Sequence, residues 1–193
     1  MAKELVRCPW CLSSDLMKEY HDVEWGVPVH DDRKHFEYIV LDTFQAGLSW
    51  STVLNKRENF RKAFDDFDYG KIARYKEPKI QKLLADAGII RNKLKIYGTV
   101  NNAQRFQEVR EEFGTFDKYI WQFTGNTVIN NKYKSHVKIK PSTKESDRMS
   151  VDLYKRGFKF VGSTICYAYM QAAGMVNDHL LSCHRHFSVV RSL

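Results

Sequence analysis

The 193 residues carry 31 Lys+Arg against 23 Asp+Glu, a formal net charge of +8, with 43% hydrophobic and 13% aromatic residues. That apolar content excludes a largely disordered chain, and the length suits one domain or two small ones. Four cysteines are too few for a disulfide scaffold, no apolar run reaches the roughly 18 residues of a membrane span, and residues 1–7 hold no apolar core of leader length, so a soluble cytoplasmic protein is expected. The positive balance points to an anionic partner, nucleic acid first.

The dominant period is helical, and the chain reads as all-α. Asp31-Asp32 suit a helix N-terminus, and Phe36, Ile39, Val40 and Thr43-Phe44 share one face of the segment that Gly47 ends. Within it Asp42 and Gln45 lie one turn apart. A carboxyl on an apolar helix face is costly unless it has a partner or a task. A second helix is read over residues 50–64, with Val53, Leu54, Phe60 and Phe64 inward and Lys56, Arg57, Glu58, Arg61 and Lys62 outward. A third covers 77–87 and stops at Gly88. A fourth covers 91–106, with Leu94, Ile96, Tyr97, Val100, Ala103 and Phe106 apolar. Shorter helices are predicted over 116–123 and 177–181, and longer ones over 143–156, capped by Thr143, and 163–173. Residues 125–140 are polar and basic and read as a loop with a short extended piece at 127–129.

Gly88 marks a tight helical hairpin followed at once by Arg91, Lys93 and Lys95. Such a bend offers backbone N–H groups and a helix N-terminus, which suit a DNA phosphate. Periodicity alone equally allows an ordinary hairpin with a solvated basic face.

Cys8-Pro9-Trp10-Cys11 is a C-x-x-C, a spacing used for redox chemistry or zinc. Redox chemistry of the thioredoxin type needs a strand before the motif and a helix opening at it, and neither is predicted. At the other end, His179 and Cys183 stand one helical turn apart, the spacing of two ligands on one face. Two tetrahedral sets compete: Cys8, His21, His179 and Cys183, or Cys8, Cys11, Cys183 and His186. Either closes a structural zinc site joining the chain ends. Cys166, in an apolar helix, reads as core.

Trp10, Tyr20, Trp25 and Trp50 crowd the first quarter. A flat aromatic wall is what an unstacked base needs, each such stack being worth about 1–3 kcal/mol. Trp25 and Trp121 are assigned to the core instead.

These residues together resemble the 3-methyladenine DNA glycosylase I family, within the helix-hairpin-helix glycosylases. The matching blocks are Cys8-Pro-Trp10, Tyr20-His21-Asp22-x-Glu24-Trp25-Gly26-Val27-Pro28, Gln45-Ala-Gly47-Leu-Ser-Trp50, Lys56-Arg57-Glu58-Asn59, Ala87-Gly88-Ile-Ile-Arg91, Lys155-Arg-Gly157-Phe-Lys-Phe-Val161-Gly162, Cys166-Tyr167 and Val176-Asn-Asp178-His179. The resemblance implies a helix-hairpin-helix glycosylase fold. Within the single unit 1–193, the hairpin subdomain would span about 30–125, and a zinc-stapled subdomain would combine 1–29 with 126–193. It selects Cys8, His21, His179 and Cys183 as ligands of a structural zinc. It makes Trp10, Tyr20 and Trp50 the base pocket. It assigns Gly47, Leu48, Ser49, Gly88, Arg91 and Lys93 to DNA, and puts Asp42 at the pocket carboxylate.

The implied activity is hydrolysis of the N-glycosidic bond of 3-methyladenine in alkylated double-stranded DNA. The base flips into the pocket, an abasic site remains, and free 3-methyladenine is the product. No lysine matches a Schiff-base role, so the enzyme is expected to be monofunctional, and it is expected to be a monomer without membrane partners, nucleoid-associated when on DNA. Two positions depart from the family: Asp42 replaces its glutamate, and Met17 replaces a pocket tyrosine. The alternative reading is therefore an altered-pocket member that binds alkylated or abasic DNA with little or no excision.

Overall fold

The computed structural model describes residues 5–191; of the segment read for a leader, residues 1–4 lie outside the described residues. Helices dominate, as the periodicity predicts. The order is α1 (Asp15–Val23), α2 (Asp32–Gln45), α3 (Trp50–Leu54), α4 (Arg57–Ala63), α5 (Tyr69–Ile72), α6 (Glu77–Ala85), α7 (Lys93–Phe113), α8 (Phe116–Trp121), α9 (Lys144–Lys155), α10 (Ser163–Ala172) and α11 (His184–Arg191). Two short strands, β1 (Ile129–Asn130) and β2 (Val176–Asn177), pair in parallel, Ile129 with Val176. Among the described residues no helix is long and apolar enough to cross a membrane.

The centre is α2. The Asp31 side chain accepts the Lys34 N–H at 2.8 Å and starts it. Residues 35–44 are all buried, because α3, α7, α8 and α10 enclose the helix. The one-sided stripe expected from sequence is therefore a fully enclosed core helix, and His35, Glu37 and Asp42 are buried with it.

The single helix expected over 50–64 is two. Asn55 donates its side-chain amide to the Ser51 carbonyl at 2.8 Å, and the chain turns before α4 begins at Arg57. That turn carries Arg57 inward, where it is 8% exposed, against the outward placement expected. Lys95 is corrected likewise. It is buried, and its Nζ donates to the carbonyls of Phe44 at 2.9 Å and Ala46 at 2.6 Å. Leu94, expected inward, is exposed at the start of α7.

Two further readings change at the chain ends. Residues 9–23, over which no helix is predicted, hold a 3-10 turn, Pro9–Ser13, that leads into α1, which Ser14 caps by accepting the Met17 N–H. Residues 177–181 form no helix, because Val176–Asn177 are committed to the strand pair and the chain then loops to α11.

The main core runs from Phe36 in α2 through α7, α8 and α10 to Val176. A smaller one gathers Cys8, Cys11, Met17, Tyr20, Trp25, Leu54, Leu180 and Cys183. The chain leaving α10 passes tightly beside residues 26–29. Gly26 donates to the Gln171 carbonyl and Val29 to that of Ala173, both at 3.1 Å. Gly174, at φ +67°, fits there only because it has no Cβ, which would lie 2.3 Å from the Val27 carbonyl carbon.

Candidate active site and metal centre

A cavity of about 420 Å³ opens between α1, α2, α3 and α10. Tyr20 projects from α1 between Trp10 and Trp50, with ring centroids 6.3 and 5.1 Å away. Trp25, expected in the core, also lines this space and meets Trp10 edge-on at 5.0 Å. Met17 occupies the same wall one turn of α1 before Tyr20. Asp42 and Gln45 face the cavity from α2, Ser49 and Trp50 from the turn into α3, and Gln171 from α10.

The sequence reading did not single out Gln171. Its signal was a lone amide in an apolar helix, seven residues before Asp178.

Asp42 is 2% exposed and its Oδ2 has no hydrogen-bond partner. Burial alone pushes its carboxyl well above the ordinary carboxylate range. The Trp50 indole N–H is also buried without a partner. Buried polar atoms are normally paired, so two orphans lining one cavity mark a place for a ligand's polar groups. The arrangement suits one planar ring with hydrogen-bonding edges.

Behind the wall, an ion-pair network fixes α1 against α2 and α4. Arg57 clamps Glu24 in bidentate fashion at 2.7 and 2.8 Å and reaches Glu37 at 2.8 Å. Burial would raise Glu24, but the bonds and charges of Arg57 and then Lys34 outweigh it and hold its carboxyl down to about 2.

Cys8, His21, His179 and Cys183 are buried, and their ligand atoms lie within 4.8 Å of one another. Cys183 Sγ is 3.4 Å from His21 Nε2 and 3.7 Å from His179 Nδ1, and Cys8 Sγ is 3.9 Å from the latter. A tetrahedral zinc ion needs S···N separations of about 3.6 Å, so the donors fit. The outer nitrogens are fixed as metal-binding imidazoles require: His21 Nδ1 meets Asp22 Oδ1 at 2.7 Å, and His179 Nε2 meets the Trp25 carbonyl at 3.0 Å. Burial lowers His179, favouring the neutral ring that binds metals.

The rival ligand set does not assemble. Cys11 Sγ turns to the Cys8 carbonyl at 3.1 Å, and His186 Nδ1 to the His179 carbonyl at 2.8 Å. No helix carries His179 and Cys183, so their convergence comes from the loop after β2 rather than from helical spacing.

The hairpin between α6 and α7 exposes Arg91 and Lys93. Lys56 Nζ binds the carbonyls of Ala87 and Gly88 at 3.2 and 3.1 Å, and Asn59 reinforces the latter at 3.2 Å. The Gly88 N–H is already bound to Asp86 Oδ1 at 2.7 Å, so it shapes the bend and is not free for a phosphate. Beside the cavity, Gly47 at φ +81° and exposed Leu48 and Ser49 form a protruding turn, closed by the Leu48 N–H on the Gln45 carbonyl at 2.7 Å.

Fold and site together define a helical protein with an aromatic cavity that carries a buried carboxyl, a basic hairpin and a buried Cys2His2 cluster. Residues 10–186 match the methyladenine glycosylase family model, and the chain belongs to that family. It is 45% identical to DNA-3-methyladenine glycosylase 1 of Escherichia coli over 177 residues, covering 92% of this chain and 95% of that one. It is 41% identical to the DNA-3-methyladenine glycosylase of Haemophilus influenzae, over 92% and 96%. Among solved structures, a 3-methyladenine DNA glycosylase I superposes with TM-score 0.89 at 46% identity, over 93% and 98% of the two chains. The Staphylococcus aureus 3-methyladenine DNA glycosylase I, solved to explain its recognition of 3-methyladenine, gives TM-score 0.89 at 29% identity, over 92% and 95%.

Proposed function

We propose that this chain excises 3-methyladenine from alkylated double-stranded DNA, hydrolysing the N-glycosidic bond to leave an abasic site and the free base. The carrying observation is Asp42, a buried carboxyl that lines an aromatic cavity and keeps one oxygen unpartnered. Its relatives' names supply the substrate.

Methylation at N3 makes the base in DNA cationic and weakens its glycosidic bond, so the protein's work is to extrude, hold and expose it to water. Trp10, Tyr20 and Trp50 offer electron-rich faces to that cation. Asp42 accepts hydrogen bonds from the base edge, and the adjacent positive charge draws it into its ionised form. Normal adenine lacks the charge and keeps a stronger glycosidic bond. Gly47, Leu48 and Ser49 fill the gap in the duplex. Gly88 shapes the hairpin, and Arg91 and Lys93 meet the backbone. Lysines of the 125–140 loop, exposed at Lys132, Lys134 and Lys138, extend that positive face.

Cys8, His21, His179 and Cys183 would hold a structural zinc, which supplies a rigid joint behind the aromatic wall and takes no part in the reaction. In this reading the chain is a cytoplasmic monomer, nucleoid-associated when on DNA. A hairpin subdomain (about 30–125) is set against a zinc-stapled one (1–29 with 126–193).

The test is release of 3-methyladenine from methylated duplex DNA. Wild type releases it, Asp42→Asn falls by at least about tenfold, the worth of one good hydrogen bond, and Asp42→Glu retains activity. Unchanged release by Asp42→Asn removes Asp42 from the pocket. Binding to abasic DNA without any release favours the non-excising alternative.

A further inference from the structure

Gln171 lines the cavity from α10, as Asp42 does from α2, and the excision reading gives it no role. Its side-chain amide is not free to rotate between its two faces. Nε2 donates to Asp178 Oδ2 at 2.7 Å. Asp178 is buried and takes two further side-chain donors: Tyr167 Oη–H on Oδ2 and Asn131 Nδ2 on Oδ1, each at 2.7 Å. With three side-chain donors converging on Asp178, the amide turns its nitrogen toward it and its oxygen away. Among the described residues Gln171 Oε1 has no hydrogen-bond partner, and it is not one of the unpartnered atoms sealed from solvent. It is the amide atom left for the cavity's occupant.

This differs in kind from Asp42. A buried carboxyl can carry or lose a proton, so Asp42 can donate or accept. Gln171 can only accept, because its donor face is committed. A ligand amino group satisfies it, whereas a ligand carbonyl at the same place sets two oxygens against each other and leaves both without the hydrogen bonds water would have supplied.

We propose that Gln171 is a specificity-determining acceptor that selects bases bearing an exocyclic amino group over their oxo counterparts, with Asp178 as the positioning residue that fixes its orientation. The proposal rests on the base-pocket reading above and assigns that site its selectivity.

The test compares two free bases, 3-methyladenine and 3-methylhypoxanthine, in which the exocyclic amino group gives way to an oxo group and one added ring N–H, by quenching of tryptophan fluorescence. Release of 3-methyladenine from methylated duplex DNA is measured in parallel. Wild type should prefer the amino base by about tenfold or more, the worth of one hydrogen bond gained against one lost. Gln171→Met, similar in shape but without an acceptor, should lose most of that preference while still binding. Asp178→Asn presents its own N–H to Gln171, lets the amide reverse, and should shrink the preference even though the Gln171 side chain is intact. A merely structural role for Asp178 would weaken both bases equally.

A preference unchanged in Gln171→Met, or absent from wild type that binds both bases, overturns the assignment of Gln171 and leaves the excision reading standing. Wild type that binds neither base and releases none overturns the pocket reading, and this proposal with it. If Asp178→Asn does not fold, the Gln171→Met comparison decides alone.

Discussion

Asp42 is a carboxyl without a partner on the most enclosed helix of the molecule, a position that costs stability whenever it ionises. Its folded-state value is raised, so between its ordinary 3.8 and that raised value the folded state holds a proton the unfolded chain has lost. Stability is therefore fully present below about pH 4 and falls as pH rises. Asp42→Asn should raise Tm at pH 7 to 8 and change it little at pH 4, while lowering base release. Thermal melts across that range check the sign, and a larger gain at pH 4 would contradict it. Glu24 has the opposite sign. Held down to about 2, it contributes stability above its ordinary 4.5 that is lost as pH falls toward 2. One carboxyl is thus left unpaired beside the cavity, and another is paired in the network behind its wall.

At the scale of elements, the C-terminal end of α2 is held by Lys95. Its ammonium meets the Phe44 and Ala46 carbonyls, where the helix dipole favours a cation. This fixes the turn at 46–49 relative to α7. Lys95→Met leaves both carbonyls without that donor and should cost about 1–3 kcal/mol, read from urea denaturation. Hydrogen exchange at the Leu48 amide should quicken more than elsewhere. Equal quickening everywhere would show only global loss. Gly174, between α10 and β2, is the tightest joint. Gly174→Ala forces a Cβ into the Val27–Pro28 peptide and a side chain onto positive φ, and should cost more than about 3 kcal/mol, enough to lower Tm steeply. Wild-type Tm in that variant would mean the two segments are not in contact.

Over the whole molecule, Cys8 and His21 from the first described segments meet His179 and Cys183 from the last loop in one buried cluster behind the aromatic wall. Trp25 lies edge-on to His179 at 4.7 Å, and His21 leaves the same helix as Tyr20. A metal there ties the site's rigidity to the closure of the chain. Elemental analysis should find about one zinc per chain, and a strong chelator should lower Tm and weaken base binding together. Metal-free folded protein with an unaltered melt would refute the zinc. The net charge of +8 predicts DNA affinity falling steeply with salt, with Arg91→Ala and Lys93→Ala each reducing the slope by about one. A salt-insensitive complex would remove the hairpin from the interface.

Periodicity and composition determined that the chain is helical and where most of its longer helices lie, and they pointed to an anionic partner, because those properties follow from local spacing and charge count. The residue blocks also carried the family, as the comparisons bear out, and Asp31, Thr143 and the end of α2 at Gly47 were legible from local capping and stop signals. What sequence could not decide is which face of an enclosed helix is inside. Lys95 and Arg57 look solvated by spacing, yet carbonyls and carboxylates from distant segments pair them in the interior. The choice between two Cys/His sets on spacing alone, the orientation of Gln171 by Asp178 and the place of Trp25 in the cavity wall likewise depend on contacts between segments far apart in the chain. Those contacts exist only after tertiary packing excludes water, which makes each unpaired polar atom expensive and each paired one specific.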